Sequence, residues 1–73
     1  MYNKPHIIFD NTKKSIKILI QIKKFFNSFS ISKSNFLIVI GGDGFMLKSL
    51  KKFYHYKKPF YGINSGNYGF LMN

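Results

Sequence analysis

Seventy-three residues allow at most one small domain, and with no cysteine neither a disulfide nor a cysteine-ligated metal can support it. The two histidines, His6 and His55, lie far apart in the chain, which argues against a structural zinc site. Twelve lysines, no arginine and two aspartates give a formal net charge of +10, pointing to an anionic partner or to an AT-rich compositional bias that spreads lysine over solvated faces.

The start of the chain, Met1 to Pro5, lacks the apolar core of a signal peptide, and without arginine there is no Arg-rich transit peptide. The expected protein is soluble and cytoplasmic, with no membrane partner. His6-Ile7-Ile8-Phe9, bounded by Pro5 and Asp10, predicts a short buried strand. Asn11 or Thr12 then caps a helix from Lys13 to about Phe29. Its expected apolar face is Leu19, Ile22, Phe26 and Phe29, widened by Ile16, Ile18 and Phe25. After the polar stretch Ser30–Ser34, the run Asn35 to Ile40 shows no alternation past Asn35 and predicts a central parallel strand covered on both faces. It is the longest apolar run and far short of the ~20 residues that span a bilayer.

Gly41-Gly42-Asp43-Gly44 ends that strand, and a second helix is expected from Phe45 to about Tyr56. Met46, Leu47, Leu50, Phe53 and Tyr54 are expected to face inward, with Lys48, Lys51, Lys52 and His55 outward. Lys57-Lys58-Pro59 breaks this helix, Phe60-Tyr61-Gly62-Ile63 forms a third strand, and a second glycine-spaced loop runs from Asn64 to Gly69 ahead of Phe70-Leu71-Met72-Asn73. The order β-α-β-α-β implies an α/β fold, a partial Rossmann-like parallel sheet with right-handed crossovers. Ligands of such sheets bind beyond the carboxyl ends of the strands, where Asp10 and both glycine loops fall. Residues 1–73 read as one α/β domain, incomplete at its carboxyl end.

Glycines at a strand-to-helix junction let a phosphate approach the backbone and permit positive φ, so that amides turn toward an anion. The following helix adds its positive end. A carboxylate in such a loop repels phosphate, but Asp43 there could accept a hydroxyl proton or hold a phosphate-bound Mg²⁺. A tight turn with Asp43 as helix cap explains the same four residues equally well. The Asn64–Gly69 loop alone reads as a surface turn; its place at the same sheet edge raises its interest.

Leu37-Ile38-Val39-Ile40-Gly41-Gly42-Asp43-Gly44-Phe45-Met46-Leu47 together with Tyr61-Gly62-Ile63-Asn64-Ser65-Gly66-Asn67-Tyr68-Gly69-Phe70-Leu71 resembles the first two signature loops of NAD kinases. The resemblance runs from about Asn35 to Asn73; residues 1–34 match in architecture only. It implies the amino-terminal α/β domain of a two-domain enzyme whose larger β-rich domain is missing, a homo-oligomer when entire. That enzyme transfers phosphate from ATP or polyphosphate to the 2′-hydroxyl of the adenosine ribose of NAD, with a divalent metal, Mg²⁺, on the ATP. By position, Asp43 resembles the proton acceptor, Asp43 and Gly44 an NAD contact, and Phe70 an apolar neighbour of the adenine. Gly41, Gly42 and Gly44 shape the phosphate loop. Phe45 stands where threonine is usual, and the family's downstream asparagine–acidic pair has no counterpart in these residues. Alone, the 73-residue chain is expected to be inactive. Lipid kinases with a glycine-glycine-aspartate-glycine loop are the alternative enzyme class. A small basic nucleic-acid module is the non-enzymatic one, but most aromatics fall on apolar faces and arginine is absent, so no specific nucleic acid is expected.

Overall fold

The computed structural model describes residues 3–67 and 70–72, with side chains described up to residue 66. Strand β1 (Pro5–Phe9) is followed by helix α1 (Lys13–Ile22), strand β2 (Phe36–Gly41) and helix α2 (Asp43–Phe53). A 3-10 turn (Tyr54–Tyr56), strand β3 (Phe60–Asn64), a second 3-10 turn (Ser65–Asn67) and strand β4 (Phe70–Met72) complete it. β1, β2 and β3 lie side by side in chain order and run parallel, as the α/β expectation required. β4 pairs antiparallel with β3 and adds a fourth strand to that scheme.

All six residues of β2 are buried. Phe36, Ile38 and Ile40 point to one face, where they join Ile7 of β1 and Leu19 of α1, with Ile16, Ile18, Ile22 and Phe26 packed around them. The Phe36 ring meets Phe26 and Tyr61 edge-on, with centroids 5.9 and 5.7 Å apart. Leu37 and Val39 point to the other face, which α2 covers through Met46. Gly62 makes that approach possible, since a Cβ there would lie 2.6 Å from Met46 Sδ. The helices therefore flank the sheet on opposite sides. Two right-handed crossovers between strands in sequential order would put both helices on one side, so the two crossovers here are of opposite hand, a departure from the expected rule. The return from α1 runs along the outer edge of β1 before entering β2.

That return also explains why α1 is shorter than its periodicity predicts. Thr12 caps the helix, its Oγ1 accepting from the Ser15 N–H at 3.2 Å. The helix stops at Ile22 rather than Phe29, because the backbone of the following segment is engaged with an edge strand whose polar groups need partners. Phe29 N–H donates to the Pro5 carbonyl at 2.8 Å, and His6 Nδ1 donates to the Phe29 carbonyl at 2.7 Å. Phe26 folds back onto Phe36, whereas Phe25, expected on the apolar face, is 79% exposed.

Helix α2 begins at Asp43, two residues before the expected start, and is rotated relative to the expected face. Met46 and Ser49 are buried and Phe45 and Phe53 half-buried. Leu47, Leu50 and Tyr54, expected inward, form an exposed stripe, with Tyr54 at 75%. The apolar arc of the helix is wider than the surface that β2 and β3 offer it.

Eleven of the lysines are exposed, as the compositional reading expects; Lys58 is the half-buried one. Its ammonium donates to the Ile31 carbonyl, to the Ser34 carbonyl at 2.6 Å and to Ser34 Oγ at 3.2 Å. It thereby pins the turn that feeds β2 to the residue before Pro59, which feeds β3. Charge-assisted bonds of this kind contribute roughly 1.5–3 kcal/mol. Lys58→Met should destabilise the chain by about that amount in urea unfolding, while Lys57→Met, one residue earlier and exposed, should change the midpoint little.

Candidate functional site

Three parallel strands deliver their carboxyl ends to one edge of the sheet, and short polar side chains stitch those ends together. Asp10, just past β1, donates its backbone N–H to the Ile40 carbonyl at 3.1 Å. Its Oδ1 accepts from the Thr12 amide at 3.2 Å and the Thr12 hydroxyl at 2.8 Å. Its Oδ2 accepts from the Gly42 N–H at 3.3 Å, which ties β1 to the glycine loop. Burial raises the Asp10 carboxyl, but the polar groups around it, among them the Thr12 side chain and backbone and the Gly42 amide, outweigh it, leaving the group below the ordinary aspartate range. Across the edge, buried Ser15 of α1 donates to buried Ser65 at 2.8 Å, joining α1 to the turn after β3.

The glycine loop occupies the middle of this edge. Gly41 is the last residue of β2, Gly42 the N-cap of α2, and Asp43 and Gly44 its first two residues. Gly42, not Asp43, is therefore the cap, and no side chain bonds there. None of the described glycines adopts positive φ, contrary to the expectation that the loop uses such conformations. Glycine serves space instead. A Cβ on Gly41 would lie 2.5 Å from the Phe45 ring and 2.9 Å from Asp10 Oδ2. At Gly42 and Gly44 a Cβ would meet nothing within 4 Å. Phe45, standing where threonine was expected, packs its ring over Gly41.

Asp43 is exposed, and its Oδ1 accepts a hydrogen bond from Asn64 Nδ2 at the end of β3. Asn64 itself is buried, 3% exposed, and its Oδ1 accepts from the Gly66 N–H at 2.9 Å. One side chain thus links the first glycine loop to the second. Beside Asp43, a groove of about 250 Å³ runs along Met46, Leu47 and Leu50. Lys48 lies on the other flank of α2, in a separate groove of about 280 Å³ with Ile8, Phe45, Ser49, Lys52 and Phe53. Gly41, Gly42, Asp43 and Gly44 are therefore brought together. Phe70 contributes its backbone to β4, and its expected adenine contact lies outside the described side chains.

Ser15 carries no sequence signal beyond its polarity, and Asn64 and Ser65, though inside the second glycine-spaced loop, have no role of their own marked in the sequence; the strand register brings Asn64 and Ser65 to this edge. Among the described residues no group of three or more His, Asp or Glu side chains converges. The half-buried Asp10 and the exposed Asp43 are too few to cage a divalent cation, and fit one that arrives on phosphates, since Mg²⁺ is commonly held by one or two carboxylates plus phosphate oxygens. Among the described residues no helix is long and apolar enough to cross a membrane.

The family model of the ATP-NAD kinase N-terminal domain matches residues 3–73. Similar proteins include the NAD kinases of Rickettsia peacockii (strain Rustic) and Rickettsia akari (strain Hartford), each 44% identical over 71 residues, and that of Rickettsia prowazekii (strain Madrid E), 41% identical over the same length. Each alignment covers 97% of this chain and 28% of the relative, so the chain spans just over a quarter of the length of these curated relatives. No solved structure gives a significant match.

The two kinds of glycine make opposite forecasts. Gly41→Ala forces Phe45 and the Asp10 carboxylate apart and should cost about 1–3 kcal/mol in denaturant unfolding. Gly44→Ala, in the first turn of a helix with open space around it, should stabilise by about 0.4–1 kcal/mol. The depressed Asp10 carboxyl contributes stability that is fully present above its unfolded value and is lost as pH falls through the lower folded value. An acid series of unfolding curves should show that loss, and Asp10→Asn should remove it.

Proposed function

The chain belongs to the ATP-NAD kinase family, matching its N-terminal domain, and we propose that it supplies the hydroxyl-activating part of a site that phosphorylates NAD at the 2′-hydroxyl of its adenosine ribose, giving NADP. The observation that carries this reading is the exposed Asp43 carboxylate, held on one oxygen by Asn64 and flanked by Gly42 and Gly44, where substrate could come close to the backbone. A ribose hydroxyl is a poor nucleophile until its proton has an acceptor. In the proposed step Asp43 takes the 2′-hydroxyl proton, and the oxygen bonds to the terminal phosphorus of ATP. The bond from that phosphorus to the bridging oxygen breaks, and its electrons leave with ADP. Polyphosphate would leave in the same way. Positioning and charge neutralisation do most of the work in such transfers. A divalent metal such as Mg²⁺, carried on the phosphates, would supply that neutralisation.

The second glycine loop supports the same reading through its link to Asp43. Phe70, by resemblance, would flank the adenine. The remaining substrate contacts, including a grip on the ribose and on ATP, would come from a β-rich domain in the longer polypeptide, in keeping with the length of the relatives. The exposed Leu47–Leu50–Tyr54 stripe offers that domain an apolar surface. A homo-oligomeric enzyme in the cytoplasm completes the proposal.

Asp43→Asn, made in the full-length polypeptide that carries this chain, keeps the size of the side chain and an oxygen for Asn64 but cannot accept a proton. kcat should fall about 10²–10⁴-fold, with the KM for NAD changed far less. Stability should shift by less than about 1 kcal/mol, the loss of a carboxylate at a helix start. A coupled NADP assay beside a melting curve measures both, and full activity in Asp43→Asn would remove this residue from the mechanism.

A further inference from the structure

The geometry points to Asn64 as the residue that positions Asp43 for proton transfer, through a hydrogen-bonded bridge from the second glycine loop; the inference rests on the reading of Asp43 as the proton acceptor. Asp43 stands exposed in the first turn of α2, where a short carboxylate left to itself samples several rotamers. Only one of those presents an oxygen lone pair to a given hydroxyl. Asn64 removes that freedom. Its amide is buried at the end of β3, and its Oδ1 accepts from the Gly66 N–H at 2.9 Å. An N–H donor must meet an oxygen, so the Gly66 contact fixes which way the amide faces and directs Nδ2 at Asp43 Oδ1. Among the described residues Asp43 Oδ2 accepts no other hydrogen bond, and it is the oxygen placed to receive a proton.

The choice of an amide matters chemically. A lysine or arginine in this place would also hold the carboxylate, but its positive charge would lower the basicity that the reaction needs. A neutral donor orients the base without setting a positive charge beside it. The bridge also makes the two loops one device. β2 and β3 are in register with Gly41 opposite Asn64, so the sheet sets the distance across which the amide reaches. Movement of the Ser65–Asn67 turn would turn the Asn64 amide and release Asp43.

The test uses the full-length polypeptide and three variants. Asn64→Leu deletes the bridge. Asn64→Asp keeps the shape and an acceptor for Gly66 but sets a carboxylate against Asp43. Asp43→Asn/Asn64→Leu asks whether Asn64 acts through Asp43. We expect Asn64→Leu to lower kcat about 10–100-fold with the KM for NAD nearly unchanged, the scale of a misplaced reacting group. Asn64→Asp should move the acidic limb of the kcat profile, and the Asp43 carboxyl titration followed by carbon NMR, to higher pH. The double variant should be no slower than Asp43→Asn alone, because a positioning residue has nothing left to position. Melting curves monitor folding, and the near-isosteric Asn64→Asp gives the pH readout if Asn64→Leu is unstable. Unchanged kcat and pH profiles in both single variants, or losses that multiply in the double variant, would overturn the inference while leaving the role of Asp43 intact. A wild-type enzyme that fails to phosphorylate NAD, or a fully active Asp43→Asn, would instead sink the reading of Asp43, and the positioning role with it.

Discussion

Burying both faces of β2 governs the architecture of this chain. A strand with six buried residues needs neighbours on both edges and a helix on each face, and β1, β3, α1 and α2 take those four places. Because the neighbours run parallel, every connection must cross from one end of the sheet to the other. All three carboxyl ends therefore meet at one edge, where the ladder stops and backbone groups need other partners. Asp10, Thr12 and Asn64 meet that need with short side chains that accept from backbone amides, while Ser15 and Ser65 tie α1 to the turn after β3. Asp43 stands at an edge that is first of all a solution to a folding problem.

Within that edge, closeness and openness are assigned residue by residue. Gly41 and Gly62 are glycines because protein atoms crowd them: the Phe45 ring and Asp10 at one, Met46 at the other. Gly42 and Gly44 have no such neighbours. The crowded pair sets how close α2 comes to the sheet, and so where Asp43 stands. The open pair decides what else can come near it. A loop of three glycines and one aspartate thus divides between packing and access, which its composition alone does not show.

The fold was legible wherever a run of apolar residues had one possible burial. Phe36 to Ile40 is the clearest case, and the β-α-β-α-β order followed from it. Helix faces were harder to read. The apolar residues of α2 cover more than half its circumference, so periodicity could not say that Leu47, Leu50 and Tyr54 would be left outside. Helix length failed at Phe26–Phe29, where a helical pattern lost to the hydrogen-bonding demand of the β1 edge. The place of the glycine loop at a strand end and helix start was readable from local residues. The Asn64 bridge was not, since residues 21 positions apart meet through strand register rather than through any local pattern.

The segment that shortens α1 has a consequence for how this sheet could assemble. A parallel sheet is in principle a polymer that accepts new strands at either side. By pairing with Pro5 and His6, and through the Ser28 hydroxyl that accepts from the Ile7 N–H at 3.4 Å, the chain terminates its own sheet on the β1 side. The opposite border is β4, whose antiparallel direction breaks the repeat. The border of β1 near Pro5 and Ile7 is covered by the chain's own backbone and side chains and offers no bare ladder there to a further strand.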